Sequence, residues 1–576
     1  MKLILSYLKH YKKMFALNVF SVFGFALVEL GIPTIVAWMI DRGVSAKDTA
    51  FIFEMGGVIL LISLLGTAGT ILLGYCCAYL STSITRDIRN DMFEKTQEFS
   101  HREFKEFGTA SLITRTTNDA FQIQMFLNIL FRTALMTPVM TVGSIVLVLK
   151  ASLSLSMVIL GTIPFIVVGV IIVAKRSELL SERQQSSLEW INRISKENIS
   201  GIRVIRAFTN DRHEKKRFDE ANSAYMGYSK KLFKLMSVTQ PAFYFLMNLA
   251  GMLIYWISSV MIQQGGLNIG QLVAFMDYLF HVMFSIMLFC LVFMMYPKAA
   301  VSARRITRIF DAVPAVENTS GKGGSPIRID EITFDHVTFA YPDGEEAVLT
   351  DVSFTVKKGE TIAFIGSTGS GKSTLINLVP RAYDVSGGRI LVNGTDIREI
   401  DLSSLRNSIG FIPQKALLFS GSIEDNLKFG KEDASMEEME EAARTAQAYD
   451  FIMEKGGFDV QITENATNVS GGQRQRLSIA RALVRKPEVY IFDDSFSALD
   501  FKTDAKLRKE LKKVLKDAVM MVVAQRITSI MDADKIMVLN EGRVVGAGTH
   551  KELLESCRIY QEIAASQLDK EELADD

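Results

Sequence analysis

Six apolar stretches, near residues 16–40, 55–80, 124–149, 155–175, 240–263 and 270–296, dominate the first 300 positions of this 576-residue chain. Each is of the order of the 20 apolar residues that a helix needs to cross a bilayer, so the pattern predicts six membrane spans. Beyond residue 300 the apolar runs shorten to strand-type segments such as Ile332-Thr-Phe334, Val337-Thr-Phe-Ala340 and Val352-Ser-Phe-Thr-Val356, and charged residues return at the density of an ordinary α/β domain. The change falls at Pro314–Pro326, whose run Asn318-Thr-Ser-Gly-Lys-Gly-Gly-Ser325 reads as a flexible linker. The expected organisation is therefore a membrane domain over 1–313, a linker over 314–326 and an α/β domain over 327–576.

Charge sets the orientation. Arg86, Arg89, Lys95, Arg102, Lys105 and Arg115 fall between spans two and three, and Lys175, Arg176, Arg183, Arg193, Lys196, Arg203, Arg206, Arg212, Lys215, Lys216 and Arg217 between spans four and five. The other connections are short and poor in basic residues, so both long loops are expected in the cytoplasm, with both chain ends on the same side. The chain would be a multi-pass protein of a cell membrane. Apolar residues at helical spacing, Ile84, Ile88, Met92, Phe93 and Phe99, then Leu188, Ile191 and Ile194, read both loops as continuations of the spans. Their tips, Phe104–Ser111 and Phe208–Glu214, are either solvated helix ends or docking points that carry motion to the α/β domain. A formal net charge of zero argues against a nucleic-acid partner. The start of the chain lacks the apolar core and small-residue cleavage site of a removable signal peptide. Cys76, Cys77, Cys290 and Cys557 show no metal spacing, and the three in apolar stretches, Cys76, Cys77 and Cys290, read as small hydrophobes.

Polar groups inside spans are costly. Glu29, Asp277 and His281 either line a water-filled cavity or, for the last two, one helical turn apart, satisfy each other. The last span also interleaves Met276, Met283, Met287, Met294 and Met295 with Phe275, Phe280, Phe284, Phe289 and Phe293. Such a surface can repack around small hydrophobic or amphipathic molecules, although ordinary helix packing also uses these residues.

The chemistry lies in the second half. Strand Thr361–Ile365 runs into Gly366, Ser367, Thr368, Gly369, Ser370, Gly371, Lys372, Ser373 and Thr374, a phosphate-cradling glycine loop in its proper strand-to-helix context. Backbone amides approach the phosphates, Lys372 neutralises the outer ones, and Ser373 can ligate magnesium. Asp493, closing the apolar run Val489–Phe492, is expected to hold the same Mg2+. Tyr341 is placed to stack on an adenine, and the Gln414 amide to approach the metal or the attacking water. Ser470, Gly471, Gly472 and Gln473 precede a helix expected over Arg474–Val484 and form a second phosphate-reading element. ATP is the expected ligand. The fold class is then an α-helical membrane domain with six transmembrane helices plus an α/β P-loop nucleotide-binding domain.

With these motifs in this order, the whole chain resembles a half-transporter of the ATP-binding cassette (ABC) exporter type. The resemblance makes Gly366–Thr374 the Walker A loop, Tyr341 the A-loop aromatic, Gln414 the Q-loop residue and Val469–Gln473 the signature. Asp493 ends Walker B, Ser497–Asp500 is the D-loop, and Gln525 occupies the switch-histidine position. It implies a dimer of two half-transporter chains, each nucleotide lying between one Walker A loop and the other chain's signature.

Three positions depart from the hydrolytic pattern of that family. Asp494 stands where a catalytic glutamate is expected, Gln525 where a histidine is expected, and Thr463–Asn468 lacks the charged, glycine-containing sequence usual before the signature. A carboxylate withdrawn by about 1.5 Å loses much of its force as a base. The sequence thus points to the degenerate-site subunit of a heterodimeric exporter, with a homodimeric lipid or drug exporter, or an ATP-gated channel-like protein, as alternatives.

Overall fold

The computed structural model describes residues 2–318, 324–344 and 346–567. Residues 319–323 of the expected linker, and the side chains of Cys290 and Met294, lie outside the described ones. The chain divides into two compact units, one of residues 1–97 and 109–312, the other of 98–108 and 313 onward.

The first unit is built of six long helical segments, Lys2–Val44, Thr49–Gln97, Thr109–Ala151, Leu153–Ala207, Asp211–Gln263 and Ile269–Phe310, each with a stretch apolar enough to cross a membrane. The fourth segment has 55 residues and the fifth 53. At 1.5 Å per residue each is about 80 Å long, against a hydrocarbon core of about 30 Å, so both continue far past the bilayer. Their polar ends are joined by Gln184 to Ser229 at 2.7 Å and by Arg217 to Glu197 at 2.9 Å.

Small residues let the first two segments touch backbone to backbone. A Cβ on Gly69 would lie 3.0 Å from the Gly24 Cα, and one on Gly66 would overlap Val28. Nearby, buried Asn18 donates to the Phe131 carbonyl and accepts from the Cys77 thiol, so its polar groups are answered inside the bundle. Cys76, Cys77 and Cys557 are buried and form no disulfide. Leu155, Ile159, Ile254, Phe275, Leu279 and Met283 form the apolar centre of the unit. Phe280, Phe284 and Phe293 remain exposed on the same last helix, with Phe280 and Phe284 stacked. His281 takes Glu29 as its partner, at 3.5 Å, rather than the neighbouring Asp277. Sequence proximity on one helix favoured Asp277; the packing of the first helix against the sixth brings the other carboxylate closer.

The second unit carries two main sheets. A four-stranded antiparallel sheet has the order Leu349–Lys357, Glu331–Phe339, Gly387–Val392, Thr395–Asp396. A six-stranded sheet has the order Arg543–Gly548, Lys535–Asn540, Thr361–Gly366, Val519–Val523, Val489–Asp493, Ile409–Ile412. All but its first strand run parallel, and Val489–Asp493 is buried throughout, as expected of a central strand covered on both faces. A group of helices, including Met436–Thr445 and Gly471–Val484, is inserted between Ile412 and Val489.

The tip helix His101–Phe107 packs within this second unit. Ser100 and Glu103 close a capping box at its start, and Glu103 also accepts a bond from the Ala315 amide at 3.1 Å. His101 lies 5.7 Å from the Tyr383 ring, and Lys105 pairs with Asp343 at 2.7 Å.

Candidate functional site

The parallel register delivers three chain segments to one edge of the sheet. Val523 pairs with Phe364 on one side and with Asp493 on the other, so the glycine loop, the Asp493-Asp494 pair and Gln525 all emerge at the carboxyl ends of adjacent strands. Ligands of open parallel sheets bind at this edge. Here it opens into a cavity of about 920 Å³ lined by Gly366, Ser367, Thr368, Gly369, Ser370, Gly371, Lys372, Ser373 and Thr374, together with Gln414, Asp493, Asp494 and Gln525.

The loop requires its glycines. Gly366 has φ +155°, and a Cβ there would lie 2.0 Å from the Leu539 carbonyl; Gly371 caps the helix Lys372–Leu378 at φ +98° with Leu349 packed beneath it. The Lys372 ammonium folds back onto the Gly366 and Ser367 carbonyls at 2.8 and 2.7 Å. Burial holds its pKa below the usual lysine value, against the opposing pull of Asp494 and Asp493. Ser373 donates to Asp493 at 2.9 Å. Burial raises the pKa of Asp493, with Ser373 and Lys372 acting the other way.

Asp494 is the centre of convergence. Its backbone is left-handed, at φ +47°, and its amide bonds to the Val523 carbonyl. One side-chain oxygen, Oδ2, accepts from Gln414 Nε2 at 3.0 Å and from Gln525 Nε2 at 2.7 Å. Burial raises its pKa, opposed by hydrogen bonds and by the charges of Lys372 and Arg526. Two neutral amides thus hold a carboxylate in place without supplying it with a proton.

Tyr341 stands beside this cavity rather than in its wall. Its hydroxyl bonds to Thr374 at 3.0 Å, and its ring packs edge-on against Phe339 and Tyr383. Ser470, Gly471, Gly472 and Gln473 do not line the cavity. Their helix is Gly471–Val484, three residues longer than the sequence suggested, because Ser470 and Gln473 cap it reciprocally. Gly472 sits 3.3 Å from the Ala498 carbonyl by its virtual Cβ, whereas Gly471 faces nothing within 4 Å. Ser497 bonds to the Asp494 carbonyl and Asp500 caps the next helix. Thr463–Asn468 forms a tight turn in which Asn465 and Ala466 have positive φ.

One part of the wall was not legible in the sequence. Ile559, Glu562, Ile563, Ser566 and Gln567, from the helix Arg558–Gln567, also line the cavity. Their spacing reads only as an amphipathic helix, and they lie nearly two hundred positions from the glycine loop.

The ABC transporter transmembrane region family matches residues 15–308, and the ABC transporter family residues 349–497. An uncharacterized ABC transporter ATP-binding protein of Mycobacterium tuberculosis is 36% identical over 576 residues, covering 98% of each chain. YfiB of Bacillus subtilis, also an uncharacterized ABC transporter ATP-binding protein, is 36% identical over 572 residues, covering 99% of each. A Staphylococcus aureus protein provisionally named a multidrug export ATP-binding/permease protein is 29% identical over 581 residues, covering 98% of this chain and 99% of its own. A solved bacterial Atm1-family ABC exporter with ATP bound shares the fold, with TM-score 0.81 and 24% identity over 97% of this chain and 99% of that one. Six membrane-spanning helices joined to a P-loop cassette, matched by relatives along nearly the whole length, make this chain a member of the ABC transporter family, a multi-pass membrane ATPase that couples ATP hydrolysis to transport.

Proposed function

We propose that the chain is the degenerate-site subunit of a heterodimeric exporter of hydrophobic or amphipathic compounds, of the multidrug type. The observation that carries this reading is Asp494. A carboxylate one methylene shorter than glutamate is engaged by Gln414 and Gln525 through the same oxygen, 3.0 and 2.7 Å away. It is a poor base for a water at the terminal phosphate, and Gln525 cannot donate charge or shuttle a proton as a histidine would. In a homodimer both sites would inherit these defects. Pairing with a different subunit leaves this chain's Walker A loop to bind ATP tightly while its signature completes the partner's hydrolytic site.

Gly471 supports that arrangement. Its own fold leaves open space where a side chain would stand, so the glycine is best explained by close approach of a nucleotide held on the facing chain. Ser373 and Asp493, already 2.9 Å apart, form the hard-oxygen pair that would hold Mg2+, with Gln414 nearby and phosphate oxygens completing the shell. Bound there, the ion would neutralise phosphate charge. The basic loops favour a cytoplasmic cassette. Exposed Phe280, Phe284 and Phe293 favour apolar cargo, as does the provisional multidrug naming of the Staphylococcus aureus relative.

The test is the full-length chain purified alone in lipid nanodiscs. It is expected to bind ATP with little turnover, and to gain transport-coupled hydrolysis only with its partner. Brisk, substrate-stimulated hydrolysis by the isolated chain would overturn the heterodimer reading in favour of a homodimer.

A further inference from the structure

The wall formed by the carboxy-terminal helix contains one side chain with two roles. Gln567 accepts a hydrogen bond from the Ile527 amide at 2.9 Å through Oε1 and donates one to the Gln525 carbonyl at 2.8 Å through Nε2. It therefore brackets the turn whose first residue sends its own amide to Asp494 at 2.7 Å. The helix beneath is a firm platform. Tyr560 and Ala564 are fully buried, Tyr560 bonds to buried His550 at 2.6 Å, and Ile559 and Ile563 pack on the core. On its other side the turn is held by Arg508 to the Thr528 carbonyl at 2.7 Å, and by Arg526 over the Phe501 ring.

A short turn after a strand has no ladder to fix it, and its amide and carbonyl groups need partners. Side-chain clamps at both ends restrict where the Gln525 side chain can reach. We propose that Gln567 is a positioning residue of the nucleotide site: it latches the Gln525–Ile527 turn to the carboxy-terminal helix and so sets Gln525 where the terminal phosphate of ATP is read. This rests on the nucleotide-site reading above, and assigns to the last helix of the cassette a part in discriminating ATP from ADP.

The turn reports on the latch without any nucleotide. In the full-length chain, Gln567→Ala is expected to speed hydrogen exchange of the Ile527 amide about fivefold or more, since one hydrogen bond is lost. Gln567→Glu, which keeps the acceptor but not the donor, is expected to preserve that protection. Unchanged exchange in Gln567→Ala overturns the latch. Fluorescently labelled ATP and ADP then read its consequence. Gln567→Ala is expected to lower the preference for ATP over ADP about fivefold while leaving ADP affinity unchanged, and to have no further effect in a Gln525→Ala background. Equal losses for ATP and ADP, or the same loss with and without Gln525, would mean that Gln567 merely supports the fold, and the inference fails. A Gln525→Ala change that leaves ATP preference intact would instead count against the site reading itself. Gln567 is exposed on the helix surface, so these variants are expected to fold.

Discussion

Asp494 concentrates the chemistry of this chain in one carboxylate oxygen. Because both amides converge on Oδ2, an asparagine can present its single carbonyl oxygen to the same two donors. Asp494→Asn is therefore expected to keep the apo geometry, remove a charge from a buried position, and raise the melting temperature while abolishing residual hydrolysis at this site. The pH dependence follows from the raised pKa values of Asp493 and Asp494. The native state binds these protons more tightly than the unfolded chain does. Their contribution is thus fully favourable below the ordinary aspartate range and is lost as pH rises through the raised native values. Thermal melts of the nucleotide-free protein across that range are expected to show the loss, with a shallower dependence in Asp494→Asn. Restoring the hydrolytic pair tests function: in the proposed heterodimer, Asp494→Glu with Gln525→His is expected to raise ATP turnover at this site at least about tenfold, measured with the partner's Walker lysine removed. The identities of these residues were legible in the sequence. Their sharing of one oxygen was not, because it depends on three strands being neighbours in space.

At the scale of elements, two contacts make opposite demands on their surroundings. The Gly24–Gly69 crossing leaves no room: the added carbon of Gly69→Ala would press on backbone rather than on a flexible side chain, so it is expected to lower the melting temperature of the detergent-solubilised protein by several degrees. Gly74→Ala, with nothing within 4 Å of the added carbon, is the matched control and is expected to be neutral or slightly stabilising. The tip helix His101–Phe107 instead carries an imidazole beside the Tyr383 ring. Burial lowers the His101 pKa, helped by the Arg406 charge. Its folded pKa lies below the unfolded one, so its stabilising contribution is present above the ordinary histidine value and is lost as pH falls through the native one. Hydrogen-exchange protection over residues 98–108, corrected for the intrinsic slowing of exchange in acid, is expected to fall as pH drops below the ordinary histidine range, and His101→Phe is expected to abolish that fall. Helical periodicity identified the two crossing spans, but not the separate capped helix His101–Phe107, which falls where the sequence showed only a loop tip. Which residues they would meet was hidden, since Tyr383 and Ala315 lie more than two hundred positions from the tip.

At the scale of the whole molecule, the asymmetry of the proposed pair is the property to measure. In the assembled transporter, Lys372→Ala is expected to weaken nucleotide occupancy on this chain yet leave appreciable turnover, whereas the equivalent lysine change in the partner is expected to reduce hydrolysis at least about a hundredfold. Equal losses would contradict a division into a binding site and a hydrolytic site. The sequence by itself determined six spans, the glycine loop and the identities of Asp494 and Gln525, and it favoured a sidedness through its basic loops, because periodicity, charge bias and motif spacing are properties of contiguous residues. Tertiary structure alone decided that Glu29, not Asp277, faces His281, that two amides meet on one oxygen of Asp494, and that the last helix walls the nucleotide cavity through Gln567. Those contacts join segments far apart in the chain, and helix packing and strand order bring them together.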